Sequence, residues 1–104
     1  MLNNLINFLN KNKINNIQTF NNNIMNTDCI IIGTGMSKIH IKAVSKKLTH
    51  YAKMKYNIKN IIIAGENTDW IVIDYSIFII HIMIKVARLK YNIEDLLSNN
   101  DKII

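Results

Sequence analysis

Residues 27–40 read TDCIIIGTGMSKIH: a β-branched apolar run, two glycines one residue apart, and the start of a helical pattern. Cys29 to Ile32 has the composition of a buried strand, and Gly33 ends the run. Glycines between a strand and a helix admit two readings. They can cradle a phosphate at a helix N-terminus, or they can let the chain turn sharply from one element into the next. The third glycine of GxGxxG and the GK[ST] ending of a P-loop are both missing, which favours the corner. From Ser37 to about Tyr56 the spacing predicts a helix: Ser37 can act as its N-cap, and Ile41, Val44, Leu48, Tyr51 and Lys55 share one face. Lys38, Lys42 and Lys46 form a ridge on another face, which reads as solvated because it lacks the interleaved aromatics of RNA-binding surfaces.

On the N-terminal side, Leu2, Leu5, Ile6 and Leu9 recur at helical spacing, and Ile14, Ile17 and Phe20 mark a poorly patterned strand in an asparagine-rich stretch. On the C-terminal side, Ile61 to Ala64 reads as a buried strand. Gly65 to Thr68 then turns the chain into a hairpin of Asp69–Tyr75 and Ile77–Met83. Ile84 to Ser98 returns to a helical period with Val86, Leu89, Ile93, Leu96 and Leu97 on one face, and Lys90 stands four residues before Glu94. This order of elements implies an α/β fold: a small two-layer sandwich with a mixed sheet of about five strands, in one domain spanning 1–104 whose first 26 residues are the least regular.

The hairpin can be laid out explicitly. With Ser76 and Ile77 as a two-residue turn, Tyr75 faces Phe78, Ile73 faces Ile80 and Ile71 faces Ile82, all on one apolar side. The other side sets Trp70 across from Met83, Val72 from His81 and Asp74 from Ile79, with Asp74 diagonal to His81. This mixed side makes a poor core and a poor solvated surface. It has the residue types of an interface anchor, unless a further helix covers it.

Composition narrows the function. The 104 residues carry a formal charge of +6, which favours an acidic partner such as nucleic acid or a ribonucleoprotein surface. Isoleucine, asparagine and lysine are abundant, proline is absent, and Arg88 is the sole arginine, a bias that marks an AT-rich genome and discounts each lysine accordingly. The single cysteine, Cys29, rules out an internal disulfide and fits a reducing compartment. No targeting segment is evident in MLNNLINFLNKN, so the expectation is a bacterial cytoplasm, with an organelle as the alternative. Ile71–Ile84 is about two-thirds of the roughly 20 residues a spanning helix needs and reads as sheet.

Catalytic readings fare poorly. Transfer of a nucleotidyl group needs closely spaced carboxylates for two cations, and no DxD or DxE follows the glycines. Cys29 opens a buried run with no activating neighbour. His40, His50 and His81 form no HxxxH or HExxH, so neither metal nor cofactor is expected. His40 is placed to cap or pack on the glycine corner, and His81 to bond Asp74.

Together, TDC-III-GTG-x-S-x-x-H, GEN-x-DWIVID, a histidine seven residues past that aspartate and R-x-x-Y in the last helix closely resemble the ribosome silencing factor, or Iojap-like, family over about Thr27–Ser98. The resemblance implies a nucleotidyltransferase-like fold without catalytic carboxylates and a regulator rather than an enzyme. Members bind the large ribosomal subunit through its fourteenth protein (uL14), on the face that meets the small subunit. They thereby block subunit joining and repress translation when nutrients are scarce. Organelle relatives are associated with large-subunit assembly, and some members form a homodimer when free. The family's positions fall on Thr27, Asp28, Gly33, Thr34, Ser37 and His40, and on Gly65, Trp70, Asp74, Tyr75, His81, Arg88, Tyr91 and Glu94. Here Ser76-Ile77 replaces a Gly-Asp turn, the loop before Trp70 is about one residue shorter, Lys85-Val86 stands where an acidic residue is usual, and the first strand is reduced to IQTFNN.

The expected partner-binding set is therefore Trp70, Val72, Asp74, Tyr75, His81, Met83 and Arg88, with peripheral contact to ribosomal RNA steered by the basic charge. An RNA-binding module and an active nucleotidyltransferase are the alternatives.

Overall fold

The computed structural model describes residues 1–22, 27–75 and 77–97; Ser76, Ser98 and the side chains of Asn22, Thr27 and Asp28 lie outside that description. Helix α1 (Leu2–Lys11) leads into strand β1 (Asn15–Asn22), followed by β2 (Thr27–Gly35), α2 (Lys38–Tyr56), β3 (Ile62–Ala64), β4 (Trp70–Asp74), β5 (Phe78–Ile84) and α3 (Lys85–Tyr91). Residues 93–97 add a further helical turn. The five strands form one mixed sheet in the order β1-β2-β5-β4-β3. Only β2 and β5 run parallel, and the crossover between them contains α2, β3 and β4.

Alternation along β2 explains the layering. Ile31 points with Ile71, Ile73, Ile80 and Ile82 into a core that α1 and α2 close with Leu5, Leu9, Ile41, Val44, Leu48 and Ala52. Ile30 and Ile32 point the other way, where Met83 and Ala87 meet them under α3. The small α/β body with a five-stranded mixed sheet expected from the sequence is thus present, with α1 and α2 on one face and α3 and residues 93–97 covering part of the other. The hairpin register is the one set by a two-residue connection: Trp70 opposite Met83, Ile71 opposite Ile82, Val72 opposite His81, Ile73 opposite Ile80 and Asp74 opposite Ile79.

Three expectations are corrected. First, the glycines are not a corner. Both Gly33 and Gly35 lie inside β2, and neither has positive φ. Their role is close packing: a Cβ on Gly33 would collide with Ile14 Cγ2, and one on Gly35 with Ile41 Cγ2. The turn into α2 comes after them, at Ser37, whose hydroxyl accepts from the His40 N–H as expected of an N-cap. His40 then fixes the corner. Its Nδ1 accepts from the Met36 N–H at 3.0 Å, which leaves Nε2–H to donate to the Asn12 carbonyl at 2.7 Å.

Second, β3 is an edge strand rather than a buried one, with Ile62 68% exposed. Third, the last helix does not run unbroken. Asn92 adopts a left-handed conformation (φ 42°) and ends α3, so Val86, Leu89 and Leu96 face solvent while Ala87 faces the sheet. Glu94 consequently pairs with Arg88 instead of Lys90. With only three glycines in the chain, asparagine supplies the left-handed residue at the ends of both α2 (Asn57) and α3 (Asn92). The α2 face also differs slightly from the expected one: Ser45 and Ala52 are buried and Lys55 is exposed.

Candidate docking surface

The mixed side of the hairpin is built around Trp70. The loop before it turns at Gly65 (φ +82°), where a Cβ would strike the Trp70 carbonyl. Thr68 then braces the entry to β4, its hydroxyl accepting from the Trp70 N–H at 3.2 Å and lying 2.6 Å from the Gly65 carbonyl. The half-buried indole donates its N–H to Nδ1 of His81 at 3.0 Å. Its ring also lies 5.0 Å from that of Tyr91, which is 46% exposed and has Lys90 Nζ 5.3 Å over it. Trp70, His81 and Tyr91 therefore form one aromatic cluster shared by β4, β5 and α3.

Burial pushes the His81 imidazole down to about 4, so it is neutral near pH 7 and its Nδ1 lone pair is available to the indole. This replaces the bond to Asp74 that strand register alone suggested. Asp74 and Val72 lie beside the cluster, each half-buried.

The remaining expected contacts occupy other places. Met83 is fully buried beneath α3, because its side chain is pinned among Ile30, Ile32 and Ala87. Tyr75 points to the α1/α2 side and is 3% exposed, with its hydroxyl donating to the Leu48 carbonyl at 3.4 Å. Burial raises its pKa well above the usual phenolic range. Arg88 is also covered, its side chain 10% exposed. It donates from Nε to Glu94 at 2.6 Å and from Nη1 to the Thr34 hydroxyl at 2.7 Å.

Met83 and Arg88 thus lie beneath the surface, and Tyr75 belongs to the opposite face of the sheet. Arg88 fastens α3 to β2, and α3 carries Tyr91 against Trp70. Thr34, in the middle of GTG, is the receiving end of that fastening. Two contributors were not singled out for binding by sequence reasoning. Tyr91 carried a signal, the R-x-x-Y spacing that sets it one helical turn past Arg88. Thr68 carried only its place in a turn.

Among the described residues no cluster of three or more His, Cys, Asp or Glu side chains could hold a metal ion, and no helix is long and apolar enough to cross a membrane. Cys29 is a buried thiol 3.8 Å from the Ile30 carbonyl.

Comparison with known proteins agrees with this fold. The structure superposes on a Chromobacterium violaceum protein solved by structural genomics with a TM-score of 0.81, at 23% identity, over 90% of this chain and 80% of that one. A Bacillus halodurans protein gives a TM-score of 0.77 at 26% identity, over 91% and 90% of the two chains. In sequence, 75 residues are 36% identical to the Arabidopsis thaliana "Protein Iojap-related, mitochondrial", which is 68% of this chain and 41% of that relative. The chain therefore spans about two-fifths of the length of that curated protein. A family model described as "Ribosomal silencing factor during starvation" matches residues 1–103, and the chain belongs to this family of ribosomal silencing, or Iojap-like, factors.

Proposed function

We propose that the protein docks on the large ribosomal subunit through the Trp70–His81–Tyr91 surface, with the subunit's fourteenth protein as receptor, and that the body of the domain then obstructs the incoming small subunit. The observation that carries this reading is the half-buried indole, held by a hydrogen bond to His81 and a ring contact with Tyr91 on a face that stays partly open to solvent. Aromatic side chains fixed in this way lose little entropy on binding and commonly anchor interfaces. No bond is made or broken. The mechanism is exclusion: one interface occupied, a second blocked.

The net charge of +6 suits a ribosomal target, because RNA phosphates nearby would speed encounter in a salt-dependent manner. Peripheral contact with ribosomal RNA, a homodimer in the free state and a role in large-subunit maturation all fit the same reading. The test is a subunit-joining assay. Purified protein incubated with isolated large subunits should lower the yield of joined particles when small subunits are added. Partners captured from lysate should include the ribosomal protein after ribonuclease digestion.

A further inference from the structure

A shallow, open cleft lies on the far side of the sheet from Trp70, between α1 and α2. It has a volume of about 700 Å³ and is lined by Phe8, Tyr51 and Met54, with Lys46, Lys47 and Lys55 around them. Met54 is 74% exposed and adds an accessible apolar side chain to this cleft. The two helices bordering the cleft carry seven lysines and no carboxylate. An apolar floor ringed by cations of one sign calls for a ligand that is apolar on one edge and acidic on the flanks.

The ring geometry decides which class of anion fits. Phe8 and Tyr51 stack on each other at 4.6 Å and 24°, and Lys55 Nζ sits 5.4 Å over the Tyr51 ring. A nucleobase would need an open aromatic face to stack on, and the Tyr51 ring is already in contact with Phe8 and Lys55. A second copy packed through the same cleft would bring these lysines against their own counterparts. An amphipathic helix meets both demands, since residues at i, i+3, i+4 and i+7 fill an apolar cleft while carboxylates between them reach the rim.

We propose that the α1/α2 cleft binds an acidic amphipathic helix of a protein partner, its apolar ridge on Phe8, Tyr51 and Met54 and its carboxylates on Lys46, Lys47 and Lys55. The site is separate from the docking surface, so both partners can be held at once. It also stands independently of the ribosomal reading, because it can be tested without ribosomes.

The test is fluorescence anisotropy of the 104-residue chain with labelled probes. One is a peptide of about eighteen residues with leucines at helical spacing and glutamates elsewhere; the second is its scramble, and the third an oligouridylate RNA. The amphipathic peptide should bind at least about tenfold more tightly than the scramble, and Met54→Glu and Lys47→Glu should each weaken it about tenfold or more. Both positions are exposed, so circular dichroism should be unchanged. Trp70→Ala should leave peptide affinity within about twofold. Equal binding of peptide and scramble, RNA bound as tightly as the peptide, or insensitivity to Met54→Glu would each overturn the proposal.

Discussion

The indole N–H of Trp70 and Nδ1 of His81 meet at 3.0 Å between directly bonded strands, two rungs apart in register. The bond requires a neutral imidazole, because a protonated Nδ1 would itself be a donor. Burial holds the folded pKa at about 4 against an ordinary value of 6.5. Between those two values the unfolded chain takes up a proton that the folded protein refuses, so stability falls as pH is lowered through this window and levels off below it. From pH 7 to 5 the contribution amounts to about 1–2 kcal/mol. Chemical denaturation at the two pH values should show this loss. His81→Gln, which can still accept from the indole but does not titrate, should remove that part of the pH dependence.

Gly35 admits no side chain while Ile41 Cγ2 occupies the space beside it. Ile41 is fully buried and cannot swing into solvent. Gly35→Ala should therefore destabilise by about 1–3 kcal/mol, the usual cost of overpacking, and lower the thermal midpoint by several degrees. Differential scanning calorimetry would measure it. A phosphate-binding role for these glycines predicts a different result: an intact fold and a lost ligand.

Arg88 joins Glu94 and Thr34 through a planar fork that lysine cannot reproduce. Arg88→Ala strands a largely covered carboxylate and releases α3 from β2, at a cost of about 3 kcal/mol. Arg88→Lys should recover only part of this. The readout beyond stability is the tryptophan emission: since Tyr91 rides on α3 against Trp70, loss of Arg88 should shift the spectrum to the red as water reaches the indole.

Asn57 closes α2 at φ 55°. Asn57→Ala should destabilise by about 1 kcal/mol and Asn57→Gly should not, because only the alanine Cβ is crowded in the left-handed region. A thermal melt of the two variants separates them.

Much of this architecture was legible in the sequence, and the part that was not has definable causes. The hairpin could be read pair by pair because side chains alternate with period two, and a two-residue turn leaves one register. The N-cap at Ser37 followed from residue type and position. The glycines misled because a strand that needs room for its neighbours and a chain that needs to turn use the same residue; only the tertiary positions of Ile14 and Ile41 distinguish them. The break at Asn92 was hidden because asparagine is abundant throughout, and most of the described asparagines are not left-handed. At the site, Trp70 and His81 were legible as a pair on one face, but their bond was assigned to Asp74. The burial of Met83, Tyr75 and Arg88 depended on which helix covers which end of the sheet, a choice that strand patterning leaves open.

The central claim is that Trp70 anchors the protein on the large subunit, and co-sedimentation with isolated large subunits measures it most directly. Truncating a central aromatic commonly removes about 2 kcal/mol or more, so Trp70→Ala should raise the Kd by roughly thirtyfold. Ile62→Ala, on the exposed edge strand, should leave it within about twofold. A folded Trp70→Ala protein that co-migrates with large subunits as tightly as the unaltered chain would contradict the account.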